Sequence, residues 1–187
     1  MDKVLGRPRD DAAGPALLSA ARRLVSERGY QRVSIQNLLD EAGVGRQTLY
    51  RRWPSKAELV LDAFLDSAGR IPAVTEGPIL EVLTRFLTHL FANLNEDGPA
   101  LRSLMASAQE DAKFLASFRE RFLQPRAKIV KSFLEQAVKR RELNENFDVD
   151  TASDMIHGAF WYRMLLGRPL DAAFATKLTT AVLKVTE

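Results

Sequence analysis

Six side chains able to bond nucleic acid crowd into one short stretch: Arg46, Gln47, Thr48, Tyr50, Arg51 and Arg52. The chemistry they suit is recognition of a duplex. A guanidinium can bond guanine bidentately, a primary amide can do the same with adenine, and a threonine can meet the thymine methyl. Arg46, Gln47 and Thr48 are therefore the expected base readers. Tyr50, Arg51, Arg52 and the nearby Lys56 suit phosphate oxygens, which set register without reading sequence. Ser34, the expected cap of the preceding helix, joins the phosphate set. The stretch contains no acid, which favours approach to a polyanion.

These side chains need a scaffold that aims them together, and the surrounding pattern supplies one. Leu17, Ala20, Ala21, Leu24 and Val25 repeat at helical spacing, with Pro15 in the opening turn and Gly29 at the end. Ser34 caps a short helix, Ile35–Ala42, which Gly43 stops. The segment Gly45–Trp53 (GRQTLYRRW) forms the next helix, and Pro54 breaks it. Two short helices around a glycine turn are the sequence form of a helix-turn-helix, whose second helix enters the major groove. Ser55-Lys56-Ala57-Glu58 has the capping-box form and starts a fourth helix, which reaches residue 68 as a connector.

The break at Gly69, Pro72 and Gly77-Pro78 separates a second region. A long stripe runs from Ile79 to Leu94, and a shorter helix follows Gly98-Pro99. Phe114 to Phe122 continue to Pro125, which kinks or restarts the helix. The pattern resumes through Ile129 to Val138, then Met155 to Leu165 after a cap at Asp148 or Asp150. Gly167 and Pro169 close that helix, and Asp171 caps a last one carrying Phe174, Leu178 and Val182. The expected fold is all α, with about nine helices. The expected division is a DNA-binding part at 1–56 and a C-terminal part at 57–187.

Charge agrees with that division. Residues 1–56 hold eleven basic and six acidic side chains, a net +5, so the whole-chain +3 leaves −2 for the rest. No cysteine is present, which removes disulfides and thiolate metal sites, and no metal or cofactor is expected. No apolar run is long enough to span a bilayer and no signal peptide opens the chain, so the reading is cytoplasmic, without a membrane partner.

Residues 17–64 resemble the N-terminal domain of the tetracycline-repressor (TetR) family of transcriptional regulators. The resemblance rests on Ala20-Ala21, Gly29-Tyr30, Ala42-Gly43-Val44, Thr48-Leu49-Tyr50, Trp53 and the S-K-x-E-L run Ser55–Leu59, all in register. It implies an all-helical homodimer with a ligand-responsive C-terminal domain, and it places Tyr50 and Lys56 on phosphate. Two residues depart from the family pattern. Leu39 stands where alanine is usual at the crossing of the two helices, and Gly45 replaces a Ser or Thr cap. Gly6-Arg7-Pro8-Arg9 resembles short arms that lie in a narrow minor groove, with Arg7 and Arg9 as the contacting residues.

Met155–Leu166 is apolar on several faces, so one face needs a cover beyond its own core. The resemblance makes that cover a second subunit, through the last two helices, with Ile156, Phe160, Phe174, Leu178 and Val182 as interface residues. Two-fold symmetry would set two reading helices about one DNA turn, or a multiple, apart. Phe86, His89, Met105, Phe118, Phe122, His157, Trp161 and Met164 are candidate linings of a pocket for a small hydrophobic effector. The leading reading is a repressor that binds a palindromic operator and is released by ligand. An architectural or protein-interaction module without ligand control is the alternative. No nucleophile-elbow or phosphate-loop pattern supports an enzyme.

Overall fold

The helical period carries through to three dimensions. The computed structural model describes residues 10–68 and 76–185, and every regular element among them is helical. In chain order these are α1 (Asp10–Arg28), a 3-10 turn (Tyr30–Arg32), α2 (Ile35–Ala42), α3 (Arg46–Arg52) and α4 (Lys56–Ala68). They continue with α5 (Ile79–Glu110), α6 (Ala112–Phe118), a π turn (Arg119–Leu123), α7 (Gln124–Lys139), α8 (Val149–Leu165) and α9 (Ala172–Val185). Arg7 and Arg9 lie outside the described residues.

Three prolines are accommodated within helices. Helix α1 starts at Asp10, so Pro15 falls inside it and not in its opening turn. The absent N–H leaves only the carbonyl of Asp11 without its helical partner, and that loss sits close to the helix start. Pro99 lies inside α5, so the two helices expected around Gly98-Pro99 are one of 32 residues. Leu94 before it and Ala100, Leu101 and Leu104 after it are all buried, which holds the helix through the missing hydrogen bond. Pro125 stands in the first turn of α7, where its missing N–H costs little. The preceding turn widens into π geometry, a common response to a disturbed hydrogen-bond ladder.

The chain divides into two compact units. The first takes the residues up to Ser67 together with Pro99–Leu115; the second takes Ala68–Gly98 and Ala116 onward. In the first unit Leu17, Leu24, Leu38, Leu49, Leu59 and Phe64 are fully buried. Arg23 of α1 pairs with Glu27 at 3.0 Å and with Glu41 of α2, an exposed clasp over that core. In the second unit Phe91 stacks on Phe174 at 5.6 Å and meets Phe160 edge-on at 5.8 Å, while Phe86 meets Phe133 edge-on at 5.2 Å. Such pairs add about 0.5–1.5 kcal/mol each beyond area burial. Loops of the second unit are tied down individually. The Glu142 carboxylate accepts from the Ile79 N–H at 2.6 Å, and Asn95 donates to the Leu170 carbonyl at 2.8 Å.

Candidate nucleic-acid interface and effector cavity

Helices α2 and α3 are set by local capping. Ser34 accepts from the Asn37 N–H at 3.1 Å while the Asn37 side chain accepts from the Ser34 N–H at 2.9 Å, a capping box closed by asparagine. Gly43 takes the left-handed conformation at φ 63°, and the Val44 N–H reaches back to the Leu39 carbonyl at 3.1 Å. That reversal needs glycine, because a Cβ is strained there. Gly45 opens α3 without a side-chain cap. Trp53 closes α3 with its N–H on the Leu49 carbonyl at 2.9 Å, and its indole donates to Asp62 of α4 at 2.7 Å. The partnership with Asp62 is not readable from spacing alone.

One buried residue orients α3. Leu49 is wholly buried, so the opposite side of α3 faces outward. At 100° per residue Arg46, Gln47, Tyr50 and Arg51 fall within one 140° sector, and all four are exposed. Thr48 flanks that sector, half-buried. Leu39 is buried, so the leucine at the helix crossing is absorbed into the core. Arg52 points away from the sector. A Cβ on Gly14 of α1 would lie 3.3 Å from its guanidinium, so the side chain lies against α1.

Lys56 has a structural task beside the one expected of it. Its ammonium donates to the carbonyls of Tyr30 (3.0 Å) and Val33 (2.9 Å) and sits 4.0 Å from the centre of the Tyr30 ring. It thereby closes the 3-10 turn that leads into α2. Burial lowers its pKa from the ordinary lysine value. Two of its three donors are engaged, so one is left for a phosphate. Ser34 is exposed at the start of α2.

The second unit contains a partly enclosed, largely apolar cavity. Phe86, Leu90 and Leu94 of α5 form one wall, and Phe122 and Leu123 of the π turn form another. Arg126, Ile129 and Val130 of α7 complete it with His157, Phe160 and Trp161 of α8. Of the residues expected to line a pocket, Phe86, Phe122, His157 and Trp161 do so. His89 is exposed and Met105 belongs to the first unit, so neither reaches it. Phe118 and Met164 are buried off the wall, Phe118 stacking on Phe122 at 5.0 Å. Arg126 carries no signal in the sequence; it follows Pro125 as a charged residue in a helix with many.

His157 is held by its own helix. Its Nδ1 lies 2.8 Å from the Ser153 carbonyl, so Nδ1 carries the proton and Nε2 is left as an acceptor. Burial lowers its pKa, against an opposing pull from the Ser153 carbonyl and Asp154. The unfolded chain thus takes up a proton near pH 6.5 that the folded chain refuses until lower pH. Stability is therefore expected to fall as pH drops below about 6.5. Urea midpoints between pH 7.5 and 5.5 check this, with His157→Gln flattening the decline. An unchanged slope in that variant would remove His157 as its source.

The residues expected at a dimer interface fall mostly inside the chain. Ile156, Phe160, Leu178 and Val182 are buried in the second unit, with Phe160 on the cavity wall. Phe174 is half-buried between Phe91 and the Arg163 guanidinium, 4.1 Å from its ring centre. The apolar groups that α8 and its C-cap Leu166 leave in solvent are Met155, Tyr162, Leu165 and Leu166 itself, with Tyr162 at 59% and Leu165 at 57% exposed. With the bare Gly158 between them, 155, 158, 162 and 165 follow a 3-4-3 spacing along one face.

Among the described residues no cluster of histidines and carboxylates is suited to a metal ion, and no helix is long and apolar enough to cross a membrane. Comparison with known proteins agrees with the geometry. The sequence pattern of "Bacterial regulatory proteins, tetR family" matches residues 17–63, and that of "Tetracyclin repressor-like, C-terminal domain" matches residues 76–182. The chain is 34% identical over 168 residues to the HTH-type transcriptional regulator YdeS of Bacillus subtilis, spanning 89% of this chain and 85% of that protein. It is 28% identical over 181 residues to the DNA-binding transcriptional repressor TetR of Mycobacteroides abscessus, spanning 95% of each. The crystal structure of the TetR family regulator SCO0332 superposes with a TM-score of 0.75 at 26% identity, covering 92% of this chain and 97% of that one. The chain belongs to the TetR family of DNA-binding transcriptional regulators.

Proposed function

We propose that the protein is a repressor acting in the cytoplasm, that it binds a palindromic operator as a homodimer, and that a small hydrophobic molecule entering the cavity releases it. The observation that carries this reading is the acid-free, exposed sector of α3, set on the buried Leu49. Arg46 and Gln47 read base edges there, Thr48 meets a thymine methyl at the margin, and Tyr50 and Arg51 hold phosphates. Ser34 and the remaining donor of Lys56 extend the phosphate contacts, with Arg52 at their edge against α1. Arg7 and Arg9 serve as a minor-groove arm. The partner subunit docks on Met155, Tyr162, Leu165 and Leu166, whose exposure supports that choice. Control of transcription, not catalysis, is the role.

The direct test is fluorescence anisotropy on the DNA upstream of the protein's own gene, at fixed salt. Specific sites exceed random sequence by at least about a thousandfold in typical regulators. A comparable preference for an inverted repeat in that DNA is expected. Equal affinity for the upstream fragment and for shuffled DNA would defeat the operator reading and favour an architectural role.

A further inference from the structure

The cavity of the second unit holds a charge that its surroundings do not neutralise. One N–H of Arg126 donates to the Phe122 carbonyl at 2.8 Å, and the guanidinium lies 3.6 Å from the centre of the Phe122 ring. None of the residues lining the cavity is acidic. Among the described residues Arg126 has no carboxylate partner. Burial lowers its pKa to about 10, which still leaves it a cation at neutral pH. A cation removed from water normally has a counter-ion, and one carbonyl with one aromatic face replaces only part of its hydration.

His157 donates its proton to the Ser153 carbonyl and presents only an acceptor nitrogen, so Arg126 is the lining group suited to an anion. Its planar fork matches a carboxylate bidentately. A phosphate dianion would bring two charges against one.

We propose that the cavity binds an apolar molecule bearing a single carboxylate, which takes the Arg126 N–H groups left open by Phe122 while its apolar body lies among Phe86, Leu90, Leu94 and Trp161. This rests on the reading of the cavity as the effector site and names the chemical class of its ligand. A neutral apolar molecule of the same shape leaves the guanidinium without a counter-ion, so the site discriminates by charge as well as by fit.

The test titrates the full-length protein by calorimetry with 1-naphthoate, phenylacetate and decanoate, each beside the corresponding alcohol. At least one carboxylate is expected to bind about tenfold or more tightly than its alcohol, the size of a charge-assisted hydrogen bond. Arg126→Gln should abolish that preference while leaving the alcohol's affinity within about twofold, and Arg126→Lys should keep part of it. Wild-type protein that binds acid and alcohol alike, or no carboxylate at 1 mM, overturns the proposal, as does an Arg126→Gln protein that keeps the preference. Operator release, followed by anisotropy, separates this from the broader reading. Release by the alcohols alone would sustain ligand control and overturn the carboxylate. Carboxylate binding that leaves DNA binding unchanged would sustain the ligand class and defeat ligand-controlled release.

Discussion

Replacing Arg46 with alanine is expected to cost about 1–3 kcal/mol of operator binding for each half-site that loses its bidentate contact. A dimer loses that contact twice, so affinity should fall on the order of a hundredfold or more. Gln47→Ala should act differently, by changing which base is preferred at one position of each half-site. Neither change threatens the fold, because both side chains are exposed and alanine is the better helix former. Tyr50→Phe supplies the contrast, since loss of a phosphate contact weakens every sequence by a similar factor. Anisotropy against a panel of singly substituted operators separates the two patterns. If the Arg46→Ala, Gln47→Ala double variant keeps both the affinity and the rank order of the wild type, α3 is not the reading helix.

The second large effect is expected at α8. Tyr162→Glu with Leu165→Glu places like charges against their own copies across a two-fold axis, where each residue meets the same patch of the partner. The protein should sediment as a monomer at micromolar concentration. Affinity for the full operator should drop on the order of a hundredfold as the two half-sites cease to be held together, while a single half-site binds as before. Both side chains are more than half exposed, so the isolated subunit should still unfold cooperatively, at a lower midpoint that no longer depends on protein concentration. A double variant that stays dimeric would move the interface to another face.

The parts of this molecule legible in the sequence are those fixed by local chemistry. Ser34, Gly43 and Leu49 define the two short helices through a cap, a left-handed turn and one core residue, all within a few positions. The errors come from competition between local and tertiary terms. A proline inside a helix costs about 3 kcal/mol, a cost that reads as a break at Pro99, yet burial of Leu94, Leu101 and Leu104 outweighs it. Helix α8 misleads in another way. Being apolar nearly all round, it gives no periodic signal for which side meets its own core, so Ile156 and Phe160 read as well as Tyr162 and Leu165. Arg126 is invisible for the opposite reason. A lone arginine after a proline looks like surface until Phe122 and the cavity wall are placed around it.

The two stretches that build the first compact unit bear on how the molecule can be taken apart. Because Pro99–Leu115 packs with the residues up to Ser67, a single cut in the chain cannot release the first unit whole. A fragment ended near Ser67 would lack the segment that carries Leu101 and Leu104, both buried in that unit. Chimaeras that exchange the first unit between relatives therefore need three junctions, at 67/68, 98/99 and 115/116. In heredity the same constraint applies, since recombination at one point between residues 67 and 99 would join the two stretches of the first unit from different parents.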